Sequence, residues 1–104
     1  MDKAINTKLI SYIKLIHDRY SSFENAYLFG SFAKGEQGQD SDIDLALIFK
    51  NLEDSERFNI QVQLMLLAAQ IDSRIEPHPI SSKDFYSNNP FVIEIQNTGI
   101  KISA

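Results

Sequence analysis

Ile5, Leu9, Ile13, Ile16 and Tyr20 recur at steps of four, four, three and four, the spacing of one helical face, while Lys3, Lys8, Lys14 and Asp18 fill much of the other. An amphipathic first helix is expected, broken at Ser21 and Ser22. Ala26 to Phe29 then reads as a short apolar strand ending at Gly30. Ser31 to Lys34 can form a turn of helix, and 35–41, polar with two glycines, a loop. Ile43 to Phe49 is a second strand, strongly apolar after Asp44, and so belongs centrally in a sheet.

Asn51 to Glu56 has turn and helix-start chemistry, with Asp54 or Ser55 as the cap. Phe58, Val62, Met65, Leu66 and Ala69 follow a helical period, which predicts a long helix from about Ser55 to about Ile71. Asp72 to Pro79 is a third extended segment, and Pro77 and Pro79, unable to donate to a ladder, suit a sheet edge or strand end. Ser81 and Ser82 can cap a helix near Lys83, with Phe85 and Tyr86 packing there. Asn88-Asn89-Pro90 interrupts, Phe91 to Asn97 continues helically until Gly99, and 100–102 adds a short strand. No repeat, low-complexity tract or linker breaks this order. The expected class is α/β in the α+β sense: a single domain over 1–104, with a small mixed sheet of three to four strands flanked by helices.

A chain of 104 residues supports one modest core but not a catalytic domain with a separate substrate domain, so a large substrate is expected to come from outside. Hydrophobic residues at 43% and charged residues at 23% are ordinary for a globular protein. The net charge of −4 and pI near 5.0 argue against an extensive nucleic-acid surface, which needs clustered Lys and Arg. The absence of cysteine removes disulfide scaffolds, thiolate metal sites and a cysteine nucleophile. The longest apolar run, Leu64 to Ala69, falls far short of the roughly 18 residues that suggest a membrane span. The N-terminus lacks the apolar core of a secretory signal, so a cytoplasmic location with no membrane partner is expected.

The chemistry concentrates in Gly30-Ser31 and Ser41-Asp42-Ile43-Asp44-Leu45. Asp42 and Asp44 are two apart, so an extended backbone points both carboxylates to one face. Side by side they repel unless something positive lies between them, and a hard divalent cation with oxygen ligands is the usual solution. An unpaired carboxylate at the head of a buried strand would be costly. The Gly30-Ser31 turn can offer backbone N–H groups to a phosphate, which places metal and phosphate sites close together.

With Ala33-Lys34-Gly35 between them, these segments resemble the nucleotidyltransferase superfamily related to DNA polymerase beta, and within it the minimal nucleotidyltransferases. The resemblance covers nearly the whole chain in element order and implies the nucleotidyltransferase fold. It implies Gly30, Ser31, Lys34 and Ser41 as nucleotide-binding residues. Lys34 stands where an arginine is common, keeping the charge but not the bidentate geometry. A third carboxylate on the next strand is also implied, as metal ligand and as base toward the acceptor hydroxyl. Asp72 and Glu76 are the candidates, placed by strand parity on one face with Arg74 between them. Glu76 is preferred because Asp72 sits at the helix exit. Catalytic and metal-binding roles thus fall to Asp42, Asp44 and Glu76.

Two Mg²⁺ ions about 3.5–4 Å apart are implied, with ATP as substrate and AMP as the transferred group. The short length resembles the form found beside a helical HEPN-type toxin, where the protein acts as an antitoxin that AMPylates a hydroxyl of its partner. Alternatives are a non-catalytic antitoxin that neutralises its partner by contact, or an aminoglycoside-type small-molecule nucleotidyltransferase formed by homo-oligomerisation. His78 lies on the Glu76 side by parity but, as a lone histidine between prolines, reads as a surface or packing residue. His17 has no evident partner, and Tyr12, Tyr20 and Tyr27 read as core or interface aromatics.

Overall fold

The computed structural model describes residues 3–38 and 40–103; Gln39, within the expected loop, lies outside the described residues, as do Met1, Asp2 and Ala104. The order is α1 (Lys3–Arg19), β1 (Phe23–Phe29), α2 (Ser31–Lys34), β2 (Ile43–Phe49), α3 (Asp54–Ala69), β3 (Ile75–Ser81), α4 (Ser82–Phe85), α5 (Pro90–Thr98) and β4 (Ile100–Ile102). The strands form one mixed sheet in the order β3-β2-β1-β4. β1 runs antiparallel to β2 and β4, and β2 runs parallel to β3. This mixed sheet of four strands flanked by helices has the class and strand number expected from the sequence.

Alternation along β2 decides which helices lie where. Ile43, Leu45, Leu47 and Phe49 face a core with Leu9, Tyr12, Ile13 and Ile16 of α1 and Leu64, Leu67 and Ala68 of α3. Ala46 and Ile48 face the other side, where they meet Ile80, Phe85, Val92 and Ile95. Buried on both faces, β2 is central, as its apolar run requires. Asp44 shares the second face with Ala46 and Ile48, at the end where the cover by α4 and α5 runs out.

Tyr12 is fully buried, and its hydroxyl donates to Leu64 O at 2.8 Å, tying α1 to α3. Burial pushes its phenol well above the ordinary range. Tyr20 donates to Gln63 Oε1 at 2.5 Å, and its ring packs edge-on against Phe49.

β3 lies at the sheet edge. Its two prolines are two residues apart, so both ring nitrogens point to the same side, away from the ladder with β2. Gln61 of α3 covers part of that edge by donating to Pro77 O at 2.6 Å.

Local differences from the sequence expectations have local causes. α3 is capped by Glu53, not by Asp54 or Ser55, because Glu53 and Glu56 close a reciprocal capping box. Phe58, Val62, Met65 and Leu66, whose spacing predicts α3, are its exposed side chains; the sheet receives Leu64, Leu67 and Ala68 instead. β3 begins only at Ile75, so 72–74 are a turn, and strand parity does not extend back to Asp72. Elsewhere Ser81 caps α4 by accepting from Asp84 N, and Asn89 caps α5 with Pro90 in its first turn. Among the described residues no helix is long and apolar enough to cross a membrane.

Candidate active site

Three strands bring the site together. Phe29, the last residue of β1, pairs with Asp44 across the antiparallel ladder, and Asp44 pairs with Glu76 across the parallel one. Neighbouring positions on adjacent strands lie about 4.8 Å apart, so register alone sets Asp44 and Glu76 side by side. Asp42, just ahead of β2, lies beside Glu76. Burial and the two neighbouring aspartates push the Glu76 carboxyl above its ordinary range, with His78 pulling the other way. The cluster therefore favours whatever brings positive charge or a proton.

Gly30 closes the site from β1. Its φ of +72° lies in the left-handed region, and a Cβ there would stand 2.5 Å from Asp44 Oδ2. Only glycine allows both the turn and the approach of the carboxylate. α2 starts directly afterwards with Ser31, and the first N–H groups of a helix have no partner within it. Gly35, at φ +70°, ends α2 with its N–H on Ser31 O.

His78 joins the carboxylates, which the sequence reading did not anticipate. Its Nε2 lies 3.2 Å from Asp44 Oδ1 and 3.9 Å from Glu76 Oε1. Phe29 and Phe91 flank the ring, with centroids 5.1 and 6.5 Å away. The available signal was its parity with Glu76; the pairing of His78 with Ala46 sets it next to Asp44.

Asp72 takes another path. It accepts from Arg74 N at 2.9 Å, Arg74 Nε at 3.1 Å and an Arg74 terminal nitrogen at 2.8 Å, and Lys8 Nζ lies 3.2 Å away. These bonds, those of the Arg74 guanidinium foremost, hold its carboxyl well below the usual range. Its charge is already compensated on the α1 side of the molecule. Lys34 Nζ lies 3.3 Å from Glu94 Oε1 of α5, and Ser41 Oγ accepts the Gly38 N–H at 2.8 Å. Neither side chain is directed at the carboxylates by these bonds.

Two openings flank Phe91. One, of about 260 Å³, is bordered by Arg57, Gln61, His78 and Asn89; the other, of about 120 Å³, by Phe29, Gly30, Glu94 and Thr98. A cavity of about 300 Å³ lies beyond the other end of β2, against Asn51, Glu53, Ser82 and Lys83. It contains none of the expected site residues.

The donor set fits a divalent cation. Asp44, Glu76 and His78 each offer one ligand atom within 4.8 Å of the others, and Asp42 adjoins them through Glu76. Carboxylate oxygens are the ligands that hard cations take.

Comparison with known proteins agrees with this fold. Residues 11–102 match the family model described as polymerase beta, nucleotidyltransferase. No curated protein matches the chain. Among solved structures, a toxin–antitoxin crystal structure with AMP-PNP has a TM-score of 0.62 at 24% identity, over 95% of this chain and 73% of that one. A candidate nucleotidyltransferase from Sulfolobus solfataricus gives 0.64 at 16%, over 97% and 86%. A tri-AMPylated Shewanella oneidensis HEPN toxin in complex with its MNT antitoxin gives 0.57 at 20%, over 94% and 71%.

Proposed function

The chain belongs to the polymerase beta nucleotidyltransferase family, and from that premise we propose that it transfers AMP from ATP to a hydroxyl of a partner protein, a HEPN-type toxin that it thereby neutralises in the cytoplasm. The observation that carries the reading is the convergence of Asp42, Asp44 and Glu76 at one end of the sheet, with Gly30 pressed against Asp44. The partner is supported by likeness to structures described as toxin–antitoxin complexes, one with AMP-PNP and one with an AMPylated toxin. An exposed apolar stripe along α3, including Phe58, Met65 and Leu66, is also in keeping with a protein partner.

Asp42, Asp44 and Glu76 would hold the divalent cations, Mg²⁺ by the family's example. When bound, these supply charge neutralisation for the triphosphate and the departing pyrophosphate. The backbone at Gly30 and Ser31 receives phosphate oxygens, with Ser41 holding the loop beside it. Lys34 reaches a phosphate by exchanging Glu94 for it. The acceptor hydroxyl oxygen forms a bond to the α-phosphorus while the bond from that phosphorus to the bridging oxygen breaks. Pyrophosphate leaves, and Glu76 takes the hydroxyl proton. A carboxylate with a raised proton affinity suits that role. Alignment and fixed charge provide most of the rate.

Incubation of the chain and its partner with α-labelled ATP and Mg²⁺ tests the reading. Label is expected on the partner with wild type and not with Asp44→Asn. Equal labelling by both overturns it, and label on a small alcohol without a protein partner redirects it to small-molecule transfer.

A further inference from the structure

His78 sits inside the carboxylate group. Ligands of one divalent ion with bonds of about 2.1 Å stand roughly 3 Å apart when adjacent and about 4.2 Å when opposite. The distances of 3.2 and 3.9 Å from Nε2 to Asp44 and Glu76 fall in that range. Glu76, about half exposed at its side chain, is free to adjust the remaining separation.

The ring is also held in place. Pro77 and Pro79 fix the backbone angles on either side, the β2 ladder sets the register, and Phe29 and Phe91 confine the imidazole. With its side chain 31% exposed, it remains open to an ion arriving from solvent.

We infer that His78 is a direct ligand of the cation through Nε2, making this centre a mixed nitrogen and oxygen site that prefers divalent ions of the Mn²⁺ to Zn²⁺ series over Mg²⁺. Mg²⁺ takes oxygen and water, whereas imidazole adds affinity for the later ions. The inference rests on the reading of this cluster as a metal centre. The competing role for His78 is a hydrogen bond that only orients Asp44, which would leave the metal with oxygen ligands alone.

Pulsed electron paramagnetic resonance of the nucleotide-free chain loaded with Mn²⁺ separates the two. Wild type and His17→Gln are expected to show ¹⁴N modulation from a directly bound imidazole, and His78→Gln to lose it with affinity for Mn²⁺ falling on the order of tenfold. Mg²⁺ affinity should change by less than about twofold. His78→Asp returns an oxygen ligand, and is expected to bind Mn²⁺ without ¹⁴N modulation and to shift preference toward Mg²⁺. Bound Mn²⁺ without nitrogen coupling in wild type, or coupling that survives in His78→Gln, overturns the assignment. Failure of wild type to bind Mn²⁺ at all instead overturns the metal-centre reading beneath it.

Discussion

Gly30 and Gly35 share a positive φ, +72° and +70°, but differ in ψ, −153° against 21°, and in their surroundings. A Cβ at Gly35 meets nothing within 4 Å, whereas at Gly30 it meets the Asp44 carboxylate at 2.5 Å. Gly35→Ala is therefore expected to cost only backbone strain, roughly 1–2 kcal/mol. Gly30→Ala forces alanine into a backbone region that is essentially glycine's alone and must also displace Asp44, for which a transfer rate lower by on the order of a hundredfold is expected. Urea denaturation beside nucleotidyl transfer checks the pair; equal activity in the two variants would show that Asp44 does not need the space. The sequence made Asp42 and Asp44 legible because alternation ahead of an apolar run leaves two carboxylates on one face. It did not reveal His78's place, because parity names a face and not a neighbour. That neighbour depends on the register of β2 against β3, a long-range property. Asp72 stays off the Glu76 face for a related reason: parity does not carry back through 72–74, which fold as a turn around the Asp72 carboxylate, in keeping with the helix-exit position that favours Glu76.

The helices show how far periodicity reaches. In α1 one apolar face exists and it is the buried one. α3 has two: Leu64, Leu67 and Ala68 face inward, while Phe58, Val62, Met65 and Leu66 face outward. Spacing alone announces the helix but cannot choose its inner side, since both sets fit a helical period. The sheet chooses, through Leu45, Leu47 and Ile75. The choice has a measurable consequence. Leu64, fully buried, should cost roughly 2–5 kcal/mol on truncation to Ala. Phe58, 75% exposed, should cost within about 0.5 kcal/mol despite its larger side chain. Chemical denaturation of Leu64→Ala and Phe58→Ala tests the orientation; a larger loss from Phe58→Ala would mean that α3 is turned the other way. The strands are more readable than the helix faces because β2, apolar on both sides, must lie in the interior of the sheet.

At the scale of the whole molecule, the site and the scaffold divide the acidic residues between them. Asp42, Asp44 and Glu76 gather at one end of the sheet with His78 beside them. Asp72 instead fastens the entrance of β3 to α1 through Arg74 and Lys8. Its carboxyl is held below the unfolded value of 3.8, chiefly by the Arg74 guanidinium. A depressed carboxyl favours the folded state wherever it is ionised in both states, so its contribution is complete above about pH 3.8. It is lost as pH falls from there toward the lowered folded value. Lys8 is about half exposed, so solvent weakens its part, and the Asp72 contribution is roughly 1–2 kcal/mol. Asp72→Asn should therefore lower stability by about that amount at pH 7, with the gap to wild type narrowing as the acid range is entered. Asp54, almost fully exposed, supplies the contrast: Asp54→Asn should differ from wild type by no more than about 0.5 kcal/mol. Urea denaturation of the three chains at pH 7, 5 and 3 separates the cases. A gap for Asp72→Asn that stays constant with pH would mean that Asp72 acts through the shape of its turn and not through its charge.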